Sequence, residues 1–196
     1  MAVIKKNTGL FFGSFNPIHI GHLAIANYMV EFTDLDEVWF VVSPHNPLKP
    51  KQSLLADYHR LEMVNLSIES LNFFKSSDIE FNLPQPSYTI DTLTHIYEKY
   101  PNRDFAIIMG MDSLQNIHKW KNYEQIFNFY KILVYPRPNC DGAEFINHPK
   151  VEIVHAPQME ISSSFIRKAI KDKKDVRCFL PAKVYQYIKE MHFYEK

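Results

Sequence analysis

The chain has 196 residues, 46% of them hydrophobic, with 22 basic side chains balanced by 22 acidic ones. That length and apolar content fill one α/β core, and zero net charge supplies no field for a polyanion, so nucleic acid is not an expected partner. Two cysteines, Cys140 and Cys178, make no disulfide framework, no apolar run could span a bilayer, and the start Met1–Lys6 lacks a signal-peptide core; a cytoplasmic protein without a membrane partner is expected.

Leu10-Phe11-Phe12 reads as a buried strand, and Leu23, Ala26, Asn27 and Val30 beyond it are spaced as one helix face. Glu37–Val42, Asp104–Met109, Lys131–Tyr135 and Val151–Val154 are short apolar runs of the kind buried in parallel sheets. Helical patterns separate them at Leu54–Leu71, at Ile90–Tyr100 with Ile90, Leu93, Tyr97 and Tyr100 on one face, and at Tyr123–Phe129. A last helix begins at Pro181, with Val184, Ile188 and Met191 toward the core. This alternation predicts a doubly wound parallel sheet with helices on both faces, one domain over 1–196, with a C-terminal helical part, 162–196, packed on it. Ligands then belong at the carboxyl ends of the strands, where Gly13 and Gly110-Met111-Asp112 fall.

Residues 13–22, Gly-Ser-Phe-Asn-Pro-Ile-His-Ile-Gly-His, join the first strand to the first helix and contain two of the five glycines. Gly13 lets the backbone approach a ligand, and Gly21 opens a helix whose unpaired N–H groups and dipole favour an anion. His19 and His22 stand three apart at that opening, where two imidazoles suit a phosphate. No Cys, Asp or Glu is near enough in sequence to complete a zinc set with them. Near the C-terminus, Ile161-Ser162-Ser163-Ser164-Phe165-Ile166-Arg167 offers a helix cap, hydroxyl and amide donors, and a guanidinium fork suited to phosphate oxygens. Asp112 suits a ribose hydroxyl or the adenylate end of a nucleotide, and it equally suits a helix cap.

The first of these segments, with His19-Ile20-Gly21-His22, resembles the H-x-G-H motif of the nucleotidyltransferase superfamily, and the second resembles that superfamily's Ile-Ser-Ser-Thr-x-Ile-Arg helix start. Ser87-Tyr88-Thr89-Ile90-Asp91-Thr92-Leu93, Gly110-Met111-Asp112-Ser113-Leu114 and Trp120 resemble segments of the bacterial nicotinate-nucleotide adenylyltransferases, over nearly the whole chain. Two positions depart from that pattern: Asn16 stands where Asp is common, and Asn46-Pro47-Leu48-Lys49 where Pro-Pro-His-Lys is common. The resemblance implies a Rossmann-like fold and transfer of AMP from ATP to nicotinate mononucleotide, giving deamido-NAD and pyrophosphate. It implies catalytic roles for His19, His22 and Arg167, and ATP or phosphate contacts from Gly13, Ser14, Phe15, Gly21, Lys49 and Ser162 to Ser164. Tyr88, Thr89 and Trp120 would hold the pyridine nucleotide, and Gly110 and Asp112 the ribose or adenylate. Mg²⁺ is expected on the substrate phosphates and not in a protein cage; the oligomeric state is left open, a homo-oligomer included. Phosphopantetheine adenylyltransferase is the enzyme alternative, a class I synthetase is disfavoured by the short chain, and a nucleotide-binding sensor is the non-enzyme alternative.

Overall fold

Side chains that alternate across the central strands set the architecture. In β1 (Lys6–Gly13), Leu10 enters one apolar layer and Phe11 the other. The computed structural model describes residues 5–44 and 54–196. Within them, β1 joins β2 (Glu37–Val42), β3 (Phe74–Ser77), β4 (Arg103–Gly110), β5 (Lys131–Tyr135) and β6 (Val151–Ile153) in one parallel sheet of order 3-2-1-4-5-6. Its helices are α1 (Ile20–Phe32), α2 (Asp57–Ile68), α3 (Thr89–Lys99), α4 (Met111–Gln115), α5 (Tyr123–Phe129), α6 (Ser163–Lys171) and α7 (Ala182–Glu190). Phe11, Phe40, Ile108 and Leu133 face α1, α2, α6 and α7, whereas Leu10, Val41, Ile107 and Val134 face α3, α4 and α5. The sheet is therefore doubly wound, and the strand order reverses between β1 and β4, where a crevice opens at their carboxyl ends.

Several sequence-based boundaries shift. The buried stripe of α1 is Ile25, Ala26 and Met29, and Asn27 is exposed, because the helix begins at Ile20 and turns that set to the sheet. In α3 the buried residues are Thr92, Leu93 and Ile96, while Tyr97 lies outside the stripe and is 56% exposed. Met191 ends α7 as its C-cap and is exposed. The edge strand β3 carries a single buried residue, Phe74, too little apolar pattern to be read as a strand. No helix among the described residues is long and apolar enough to cross a membrane.

One buried charge fixes the crevice floor. Arg60 of α2 is fully buried, and all five of its N–H groups are engaged. Nε donates to the Leu55 carbonyl at 3.0 Å, and Nη1 donates to the carbonyls of Ser14 at 2.6 Å and Ser43 at 2.8 Å. Nη2 donates to the Pro44 carbonyl at 3.2 Å and to Asp57 Oδ1 at 2.6 Å. The carboxyl ends of β1 and β2 are thus tied to the start of α2. Lysine has three donors in a different geometry and leaves several of these acceptors unpaired, so Arg60→Lys should lose about 3 kcal/mol or more. Urea unfolding measures this; an unchanged midpoint would contradict the assigned network.

Candidate active site

The turn after β1 is shaped by aromatic packing. Phe15 adopts a positive φ of 43° and is buried, with its ring edge-on to Phe11, Phe40 and His22. A Cβ on Gly13 would stand 2.7 Å from the Phe15 ring, so the glycine makes room for that side chain and not for a ligand alone. Gly21 acts likewise for His19, because its Cβ would meet His19 Nδ1 at 3.1 Å. His19, and not Gly21, caps the helix: its carbonyl accepts the His22 N–H at 3.0 Å. The two imidazoles stack with centroids 3.7 Å apart. His22 Nδ1 accepts the His19 backbone N–H at 3.2 Å, which leaves the neutral ring's proton on Nε2.

The C-terminal helix docks on this turn. Ser162 caps α6 by accepting the Phe165 N–H at 3.1 Å, and Ser163 Oγ donates to the Pro17 carbonyl at 2.8 Å. Arg167 donates to the Asn16 carbonyl at 2.8 Å and to Ser164 Oγ at 3.2 Å, so two of its five donors hold the protein itself. Asn16 is buried; its Oδ1 accepts the Leu55 N–H at 3.3 Å and the Tyr194 hydroxyl at 2.7 Å. Serine cap, guanidinium and C-terminal tyrosine therefore close around residues 16 and 17.

Beside the turn, a cavity of about 340 Å³ opens at the carboxyl ends of β1, β2 and β4. Gly13, Ser14, Tyr88, Thr89, Gly110 and Trp120 line it, bringing together residues far apart in sequence. Thr89 is the first residue of α3, so the start of that helix, with its unpaired amides, lies in the cavity wall. Asp112 does not line it; the carboxylate lies 3.8 Å from Arg137 Nε, in the first turn of α4. Lys49 lies outside the described residues.

Sequence reasoning missed Arg60, Glu80, Tyr135, Arg137 and Tyr194. Arg137, between Pro136 and Pro138 just past β5, carried a readable signal: a cation at the carboxyl end of a strand. Its Nη2 donates to the Tyr135 hydroxyl at 3.3 Å, and its charge acts on His19. Burial first, then Arg137, push the His19 pKa from 6.5 to about 4. His19 is thus a neutral, buried imidazole within the field of the Arg137 guanidinium.

Above pH 6.5 His19 is neutral both folded and unfolded; below it the unfolded chain takes up a proton that the folded ring refuses until about pH 4. Stability should fall through that window by up to about 3 kcal/mol from this group. In His19→Asn the decline in unfolding free energy from pH 7 to 4 should shrink by that amount, and an identical decline would contradict a buried neutral ring.

Comparisons with known proteins agree with this geometry. The cytidylyltransferase-like family model matches residues 10–169. A probable nicotinate-nucleotide adenylyltransferase of Flavobacterium psychrophilum is 57% identical, covering 96% of this chain and 98% of its own. The corresponding protein of Bacteroides thetaiotaomicron is 51% identical over 95% of this chain and 92% of its own. The structure of Plasmodium falciparum nicotinic acid mononucleotide adenylyltransferase complexed with NaAD superposes with a TM-score of 0.81, covering 97% of this chain and 98% of that one at 22% identity, a likeness of fold. By sequence over nearly its whole length, the chain belongs to the nicotinate-nucleotide adenylyltransferases within the cytidylyltransferase-like family.

Proposed function

We propose that the protein transfers AMP from ATP to the phosphate of nicotinate mononucleotide, releasing pyrophosphate and forming deamido-NAD in NAD biosynthesis. The carrying observation is adjacency: a cavity bearing an indole and a helix start lies next to paired imidazoles and a guanidinium. The indole face of Trp120 suits a flat heteroaromatic ring, and the α3 amides near Tyr88 and Thr89 suit its carboxylate.

The nucleophile is a phosphate oxygen already anionic near neutral pH, since its second pKa is about 6, so no strong base is required. Catalysis then rests on alignment and on donors aimed at charge developing on the α-phosphate and the departing pyrophosphate. His22, with its proton on Nε2, and neutral His19 supply such donors. Arg167, the Ser162 to Ser164 segment and Lys49 are assigned to the triphosphate, with Gly13, Ser14, Phe15 and Gly21 shaping its seat. Gly110 and Asp112 are assigned to the ribose or adenylate side. Among the described residues no three His, Cys, Asp or Glu side chains gather into a metal cage, and Mg²⁺ is assigned to the oxygens of ATP.

Pyrophosphate release from ATP should be rapid with nicotinate mononucleotide, at least about tenfold slower in kcat/KM with its amide analogue, and absent with phosphopantetheine. Equal rates for acid and amide would remove the acid-specific reading, and release only with phosphopantetheine would replace the function. His22→Ala should lower kcat by about 10²-fold or more with little change in ATP binding, and unchanged turnover in a folded variant would remove its catalytic role.

A further inference from the structure

Glu80, on the short helical turn Ile79–Asn82, is a buried acid in the wall of the cavity assigned to the mononucleotide. Its carboxylate accepts the Thr92 hydroxyl at 2.8 Å and the Ser87 hydroxyl at 3.2 Å, with Ser43 also contributing. No Lys, Arg or His is bonded to it among the described residues. The elements packed against its turn are β2 and α3. On β2 the charged residue is Glu37, which is bound by Lys6, Lys75 and Arg103. On α3, Asp91 pairs with Lys121 at 2.9 Å, and His95, Glu98 and Lys99 lie further along the helix. The other lysine lining the cavity, Lys119, donates to Asn116 at 2.6 Å, and Tyr135, also in the wall, is a phenol that burial keeps protonated. Burial holds Glu80 above the usual carboxylate range, against the hydrogen bonds that lower it.

The hydroxyl of Thr92 has a second acceptor, the Tyr88 carbonyl at 3.3 Å. One hydrogen cannot serve both. With Glu80 ionised, the Thr92 hydrogen turns to the carboxylate; with Glu80 protonated, the acid O–H donates to Thr92 Oγ1 and the Thr92 hydrogen swings to the Tyr88 carbonyl. The network is complete in either state. A second carboxylate brought into the same cavity disfavours ionisation of the first, as paired acids do.

We propose that the cavity takes the acid mononucleotide together with one proton from solvent, which Glu80 accepts and the Thr92–Tyr88 pair accommodates. This rests on the substrate assignment above. Calorimetric titration of the unmodified protein, in two buffers of different ionisation enthalpy, should show about one more proton taken up with nicotinate mononucleotide than with its amide, whose identical phosphate serves as the control. The acid-to-amide ratio of kcat/KM should fall with rising pH, by as much as about tenfold per unit above the Glu80 pKa. In Glu80→Gln, which keeps the shape and whose amide donates to one of the Ser87 and Thr92 hydroxyls and accepts from the other, both the extra proton and the pH dependence should vanish. Equal uptake for the two mononucleotides in the unmodified protein overturns the proposal, as does extra uptake that persists in Glu80→Gln. Loss of adenylyl transfer to both mononucleotides in the unmodified protein would instead mark failure of the substrate assignment.

Discussion

The guanidinium of Arg60 occupies a position where an unpaired charge would cost several kcal/mol, and four backbone carbonyls and one carboxylate converge on it. Those carbonyls belong to the segments that end β1 and β2 and precede α2, so satisfying the charge fixes three chain segments at once. Ser14 and Ser43, held from behind in this way, also line the cavity. The shape of the crevice is thus a consequence of hydrogen-bond accounting around one buried cation, and a substrate meets a wall already in place.

Residues 16 and 17 tie the same floor to the C-terminal part of the chain. Arg167 and Ser163 bind their carbonyls, and Tyr194 reaches Asn16 across 178 positions of sequence. Burial pushes the Tyr194 phenol far above its ordinary pKa, so it stays a donor at any physiological pH. The two motifs that stand apart in sequence therefore meet through main-chain contacts before any phosphate arrives. Asn16 fits this role through Oδ1, which accepts from both Leu55 and Tyr194.

Much of this was legible in the chain. The apolar runs at 37–42 and 131–135 coincide with β2 and β5, because strands buried on both faces leave unbroken hydrophobic stretches. The H-x-G-H turn and the serine-rich start of α6 were legible because they rest on local backbone needs. Arg60 was not: inside the helical pattern 54–71 a lone arginine reads as a solvated face, and only the convergence of distant carbonyls shows otherwise. Glu80 was hidden for the same reason, since its burial depends on Thr92 and Ser87 folding over it. The outward turn of Tyr97 was missed because a helix's apolar positions do not by themselves fix which stripe meets the sheet.

The proposed reaction requires a pyridine cavity and a triphosphate seat side by side, at the start of α3 and the start of α1. A crystal structure of the protein with nicotinate mononucleotide and a non-hydrolysable ATP analogue tests it most directly. The pyridine ring should lie against Trp120 with its carboxylate at the Thr89 amide, and the α-phosphate should accept from His19 and His22. A mononucleotide bound away from this cavity, or phosphates turned away from both histidines, would contradict that arrangement.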